Sequence, residues 1–289
     1  MSKTQPLSAS AERAAALLPV LRESQVDIVN LLTSLSPNDL ALPTSCPGWS
    51  VRDQIGHLID MTEVLVRGLE EAATGQTEGV LQPAKMAPAT QETAIERAAL
   101  LPLAKLKYDF EEASGQFLNL LEKRDPQDWD EPVGHPYLGS CPAIQYAGLA
   151  LLDWFIHPWD IRTALEQNPV PRTDQVSLLA VGLLGMLPKR LNTARSRNMR
   201  GRFRFIIEKP EGSGQVANRL DVVLAKNAVT IEPNVGDDVP VELTFKGKPG
   251  DIVLSLLGRR GISKIVQPGT NSDIQDTWMA RWNILWISL

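Results

Sequence analysis

The 289-residue sequence predicts an α+β protein, in which an up-and-down helical bundle precedes a small α+β domain. Two observations favour this fold class. Long Ala- and Leu-rich stretches with apolar residues at helical spacing, separated by loops, fill most of the chain before residue 195. From residue 201 the sequence changes to short clusters of β-forming residues followed by helical segments. We expect the two domains to cover residues 1–198 and 199–289, with their boundary in the polar run 193–201.

Two helices are expected before residue 75. Residues 11–35 have helical spacing, and a Ser-Pro-Asn turn ends them. A turn-rich stretch over 42–49 follows. Ser50 is then placed as an N-cap with Asp53 three residues later, which is the capping-box pattern with Asp in the Glu position. The helix that begins after Ser50 carries a continuous apolar stripe, as expected for a helix that packs in a bundle.

Three more helices complete the predicted bundle. Gly, Pro, Gln and Thr residues over 75–88 predict a loop, and helical spacing then predicts a helix over about 91–122. A polar, proline-containing connection over 125–142 leads to a helix over about 142–166. After two prolines a fifth helix is expected over about 173–191.

The C-terminal residues predict a mixed domain. Residues 202–207 and 239–245 alternate or cluster β-forming side chains, and 219–231 contain two short strands around a turn. Residues 249–257 and 272–287 have the spacing of helices. Strands followed by helices within about 90 residues are typical of a small α+β domain.

Composition and charge narrow the function classes. Apolar residues make up 43% of the chain and charged residues 22%, close to the averages of globular proteins. A net charge of −5 gives no electrostatic reason to expect a nucleic-acid partner. We find neither a signal sequence nor an apolar run long enough for a membrane span, and Cys46 and Cys141 imply no disulfide framework. We therefore expect a cytoplasmic protein, monomeric or homodimeric, without a membrane partner.

The three histidines show that spacing alone does not identify a site. Each follows an acidic residue by four positions: Asp53 before His57, Glu131 before His135, and Asp153 before His157. A proline and a glycine interrupt the second pair, so its members are not expected to share a helical face. Asp53 is already explained by helix capping. Asp153 has no such explanation.

Asp153 lies in the middle of a predicted helix, where burial of an unpaired carboxylate would cost several kcal/mol. Because residues four apart share a helical face, Asp153 and His157 can bind one metal ion. The spacing also permits other interpretations. His157 can be a hydrogen-bonded core residue, and Asp153 can pair with His157 or Arg162.

Two segments resemble a known family. Residues 46–58, with the sequence CPGWSVRDQIGHL, resemble the signature of the mycothiol-dependent maleylpyruvate isomerase family, which belongs to the DinB-like bundles. Residues 153–161, DWFIHPWDI, look like the acid-x-x-x-His-x-x-Asp segment of that family. The resemblance implies that His57, Asp153 and His157 bind a metal. Asp153 departs from the more usual Glu, whose side chain is one methylene longer.

The resemblance extends to the small C-terminal domain, where residues 256–259 are similar to a recurring element of the family. It implies a divalent metal and a low-molecular-weight thiol such as mycothiol as cofactors. Two imidazoles and one carboxylate suit zinc, and nickel, iron or manganese also fit such ligands. The implied activity is isomerisation of, or S-transfer to, a small electrophilic acid. Two alternatives stay open: a metal-binding protein of this fold without catalysis, and a metal-dependent hydrolase that activates water.

Overall fold

The computed structural model describes residues 8–46, 48–77, 95–135, 139–165, 167–209, 215–267 and 272–285. Contacts divide the chain into two compact units, Met1–Val170 and Pro171–Leu289. The α+β class with an N-terminal helical bundle is confirmed.

Among the described residues, four long helices form the bundle of the first unit: α1 (Ala9–Ser34), α2 (Val51–Ala73), α3 (Leu103–Glu122) and α4 (Ala143–Ala164). α1 and α2 each pack against both α3 and α4. The indole of Trp154 on α4 lies between Phe110 and Phe117 of α3, with ring centroids 5.8 Å from each. Its Nε1 donates a hydrogen bond to Thr62 Oγ1 of α2 at 3.2 Å. This buried aromatic contact fixes α4 against both neighbouring helices.

The start of α2 confirms the predicted capping box. The Ser50 hydroxyl accepts a hydrogen bond from the backbone N–H of Asp53, and the Asp53 carboxylate accepts one from the backbone N–H of Ser50 at 2.8 Å. A β-bridge between Pro43 and Ser50 closes the preceding turn. Because both ends of this turn are held, the first residues of α2 have a fixed position in the bundle.

The predicted helix over 91–122 is divided in the structure. Residues 95–99 are helical, and α3 begins at Leu103 after Pro102, whose ring disfavours helical geometry in the residue before it. Residues 91–94, and all but the first residues of the predicted loop 75–88, lie outside the described residues.

The predicted connection over 125–142 contains short regular elements that the sequence did not reveal. It contains a 3-10 helix (Pro126–Asp130) and a hairpin of β1 (Pro132–His135) and β2 (Gly139–Pro142), which pair antiparallel. Strands of four residues that contain proline and glycine carry too little alternation to be recognised. His135 lies on β1, so it shares no helical face with Glu131, as expected.

The second unit combines α5 (Thr173–Arg190), a four-stranded sheet, α6 (Pro249–Leu256) and α7 (Ser272–Leu285). The strands are β3 (Gly201–Glu208), β4 (Val216–Ala225), β5 (Ala228–Pro233) and β6 (Leu243–Gly247), in the order β5-β4-β3-β6. β3 pairs antiparallel with β4 and parallel with β6. Phe203, Phe205 and Phe245 contact the ring of Trp282 on α7 and form the core of this unit.

A domain boundary near residue 198, as the sequence predicted, would leave α5 in the bundle. In the structure α5 packs against α6 and β5, and the division between the units falls at Val170 and Pro171. Helical periodicity identifies the apolar face of a helix but not the element that covers it.

None of the helices in the described ranges is both long enough and apolar enough to cross a bilayer.

Candidate metal centre

Helices α2 and α4 bring the three predicted ligands together. His57 lies on α2, and Asp153 and His157 lie one turn apart on α4. One nitrogen of each imidazole and one carboxylate oxygen of Asp153 all lie within 4.8 Å of one another. His57 is far in the sequence from Asp153 and His157. The three side chains meet because α2 packs against α4.

Trp49 forms one side of this group. The His57 and His157 rings are 4.6 Å apart between centroids. The Trp49 indole lies 5.1 Å from the His57 ring and 6.2 Å from the His157 ring, against which it is stacked. Trp49 follows Gly48, whose positive φ of 82° permits the turn that directs the chain into α2.

Burial changes the acid–base properties of two members of the group. His57 is 9% exposed, and desolvation lowers its pKa to about 4. Desolvation raises the pKa of the Asp153 carboxyl to about 7, although Asp153 retains some contact with solvent. Within the described part of the chain, Asp153 makes no hydrogen bond or ion pair, and Arg162 instead donates to the carbonyl of Asp27 at 3.5 Å.

The donor set fits a divalent cation. The polar atoms of His57 and Asp153 lie in a desolvated site and have no hydrogen-bond partner among the described residues, yet they converge on one point with His157. Isolated groups of this kind are costly to bury unless an ion or a hydrogen bond compensates them. Two imidazoles and one carboxylate are common zinc ligands, and they leave coordination positions open.

A second group of polar residues lies behind His157, and its role was not apparent from the sequence. His157 Nδ1 is 3.2 Å from Gln54 Oε1, and Gln54 Nε2 is 3.4 Å from Asp160 Oδ2. Cys46 Sγ is 3.5 Å from the same Asp160 oxygen, and Cys46, His157 and Asp160 form a second group with ligand atoms within 4.8 Å. Helical spacing was the available signal, because Gln54 lies three residues before His57 and Asp160 three residues after His157.

Comparison with known proteins bears on this site. Residues 21–162 match the family model of the mycothiol maleylpyruvate isomerase N-terminal domain. This segment therefore belongs to the mycothiol maleylpyruvate isomerase family. Both ligand groups lie within the residues that match the family's N-terminal domain.

Solved structures show the same fold. A crystal structure of the mycothiol-dependent maleylpyruvate isomerase matches over 88% of this chain and 92% of that chain, at 16% identity and a TM-score of 0.60. A crystal structure of a histidine-to-alanine mutant of the mycothiol-dependent maleylpyruvate isomerase matches over the same shares, at 16% identity and a TM-score of 0.59. No curated protein sequence matches the chain. At 16% identity these structures show the fold alone, so the ligand roles of His57, Asp153 and His157 remain predictions.

Proposed function

We propose that the chain is a metal-dependent enzyme that uses a low-molecular-weight thiol of the mycothiol type. Its reaction would be isomerisation of, or S-transfer to, a small electrophilic acid. The observation that carries this proposal is the convergence of His57, Asp153 and His157 within 4.8 Å, in a segment of the mycothiol maleylpyruvate isomerase family. A cytoplasmic setting, where thiols are kept reduced, is part of the proposal.

His57, Asp153 and His157 would hold the metal, with zinc as the first candidate and nickel, iron or manganese as alternatives. A divalent metal supplies Lewis acidity, which lowers the pKa of a bound thiol and favours its thiolate form near neutral pH. His57 is a neutral donor at physiological pH because burial lowers its pKa to about 4. Asp153 contributes the one negative charge of the group.

Trp49 would hold the two imidazole rings in place. Its indole lies against both imidazoles, so it restricts rotation of the two rings and shields them from water. Exclusion of water on that side favours thiolate over hydroxide as the attacking nucleophile. Addition of a thiolate to a conjugated alkene acid turns the double bond into a single bond, which rotates before the thiol leaves.

Metal analysis of purified protein tests the ligand set. After mild dialysis, we expect the wild type to retain about one equivalent of metal, and His57→Ala and His157→Ala to lose it. His135→Ala is the matched control, since His135 lies on β1 and belongs to neither ligand group. Circular dichroism checks that each variant is folded. A wild type that retains no more metal than the two ligand variants would show that the metal site is wrong.

Thiol dependence tests the reaction. We expect turnover of an electrophilic acid such as maleylpyruvate only when mycothiol or a related thiol is present. Turnover that does not need a thiol would contradict the proposal and favour the hydrolase alternative. A metal-loaded protein that is inert across a panel of electrophilic acids with thiol present would favour the non-catalytic metal-binding protein.

A further inference from the structure

Gln54 is a fully buried amide at the metal centre. It lies on α2 one turn before His57, and its side chain is 0% exposed. A buried amide destabilises the fold unless its oxygen and nitrogen are both hydrogen-bonded, so its partners determine its orientation. The proposed metal site alone does not explain why an amide lies here.

The partners of Gln54 fix which way its amide points. Gln54 Nε2 is 2.9 Å from Thr44 Oγ1 and 3.4 Å from Asp160 Oδ2. A carboxylate oxygen only accepts hydrogen bonds, so the nitrogen of the amide must face Asp160. The oxygen therefore faces His157, and Oε1 lies 3.2 Å from Nδ1 of that ring.

This orientation determines the tautomer of His157. Because Gln54 Oε1 only accepts hydrogen bonds, His157 Nδ1 must carry the proton of that contact. A protonated Nδ1 has no lone pair for a metal, so Nε2 is the single donor atom of the ring. One lone pair binds one metal ion, yet His157 belongs to two ligand groups, one with His57 and Asp153 and one with Cys46 and Asp160.

The hydrogen bonds favour one of these groups. The Cys46 thiol donates to Asp160 Oδ2 at 3.5 Å, and the same oxygen accepts from Gln54. The Cys46 thiol is therefore hydrogen-bonded to Asp160, and Asp160 is hydrogen-bonded to both Cys46 and Gln54. His57 and Asp153 have no polar partner among the described residues, apart from the ligand group itself.

We infer that Gln54 is a positioning residue that commits His157 Nε2 to the group with His57 and Asp153, and withholds it from the group with Cys46. Gln54 does so by holding the proton on His157 Nδ1 while Asp160 and Thr44 hold the Gln54 amide. This inference rests on the proposed metal site. It adds a hydrogen-bond partner that positions His157, and it explains why the metal would bind the group with His57 and Asp153 rather than the group with Cys46 and Asp160.

Gln54→Met tests the inference, because methionine keeps the length and apolar stem of glutamine and removes its hydrogen bonds. We expect the affinity for Zn²⁺ and Co²⁺ to fall about ten- to a hundredfold, as is typical when the partner of a metal-bound histidine is lost. Gln25→Met is the matched control, since Gln25 Nε2 donates to Ser114 at 2.9 Å, away from either ligand group. The control should bind both metals as the wild type does.

Two spectroscopic measurements separate positioning from general support of the fold. Long-range ¹H–¹⁵N spectra of the wild type should show the His157 proton on Nδ1 and the metal on Nε2, and His157→Ala identifies its signals among the three histidines. The Co²⁺-loaded wild type should show no thiolate-to-cobalt charge-transfer absorption. In Gln54→Glu combined with Asp160→Asn, the carboxylate at position 54 accepts from His157 Nδ1–H and the amide at position 160 donates to that carboxylate. Most of the affinity that Gln54→Met loses should therefore be kept in this double variant.

The outcomes distinguish this inference from the proposed function. Metal bound through Nδ1 of His157, a thiolate band in the wild type, or a Gln54→Met variant with unchanged affinity would each overturn the role of Gln54 and leave a metal site in place. A wild type that binds no metal would overturn the proposed function together with this inference. Unfolding curves of each variant show whether a lost affinity comes from a lost fold.

Discussion

The substitution Asp153→Asn should stabilise the metal-free protein while it removes metal binding. Asp153 is a desolvated carboxyl with no hydrogen bond or ion pair among the described residues. Asparagine has nearly the same shape and carries no charge, so the substitution removes the cost of burying a carboxylate. It also removes the only anionic ligand of the group with His57 and His157.

The pKa of Asp153 gives the size and pH dependence of this effect. In the unfolded chain the carboxyl ionises near its ordinary pKa of 3.8, whereas in the folded protein its pKa is about 7. The folded state holds the proton more tightly, so the metal-free protein loses stability as the pH rises from about 4 to about 7. The difference corresponds to at most about 4 kcal/mol at about pH 8, and partial solvent contact reduces it to about 2–4 kcal/mol.

Urea unfolding in the presence of a chelator measures this difference. At about pH 8 the variant should be about 2–4 kcal/mol more stable than the wild type, and the gap should shrink to about a quarter at about pH 4.5. Saturating zinc should reverse the order, because only the wild type gains stability from binding. A metal-free variant that is no more stable than the wild type at the higher pH would refute the reasoning.

Asp39→Asn is the matched control for this prediction. Hydrogen bonds from the backbone N–H and hydroxyl of Ser36 lower the pKa of Asp39, which is the opposite direction to Asp153. The same change of carboxylate to amide should therefore not stabilise the protein at this position. If Asp153→Asn and Asp39→Asn both raised the free energy of unfolding, the cause would be the general reduction of negative charge rather than the burial of Asp153.

Two further predictions concern the same unit. Below about pH 7 the zinc affinity should fall with a slope that approaches about tenfold per pH unit, because Asp153 must lose its proton, whereas His57 stays neutral down to a pKa of about 4. Chelator-competition titrations over this range measure the slope, and a flat profile would contradict the assignment. Gly68→Ala should cost about 2 kcal/mol in urea unfolding, because a Cβ there would overlap the hydroxyl of buried Tyr146 and lie 2.9 Å from a backbone carbonyl of β1. Gly148→Ala on α4 has open space around its Cβ and should be neutral or gain about 0.5–1 kcal/mol, so an equal loss at both positions would contradict the packing argument.

The sequence was sufficient where local chemistry determines local structure. The capping box of Ser50 and Asp53 and the apolar stripe after it predicted the start of α2 and so the helical position of His57. The pair Asp153 and His157 could be placed on one face because helical spacing is fixed. That His57 reaches this pair depends on how α2 packs against α4, and only the family resemblance predicted it.

Other features depend on contacts between residues far apart in the chain. β1 and β2 are too short to show a strand pattern, and their hairpin forms because each pairs with the other. Gln54 looks like an ordinary polar residue in the sequence. Its importance follows from Thr44 and Asp160, which lie on other segments and fix the direction of its amide. A pattern along one helix contains no information about these partners.

Every ligand atom of the candidate centre, and every member of the hydrogen-bond network behind it, comes from residues 44–160 in the first unit. Substitutions, insertions or even replacement of the second unit would leave those atoms and their supports in the chain. The candidate metal ligands and their hydrogen-bond partners can therefore be retained during evolution while the second unit changes.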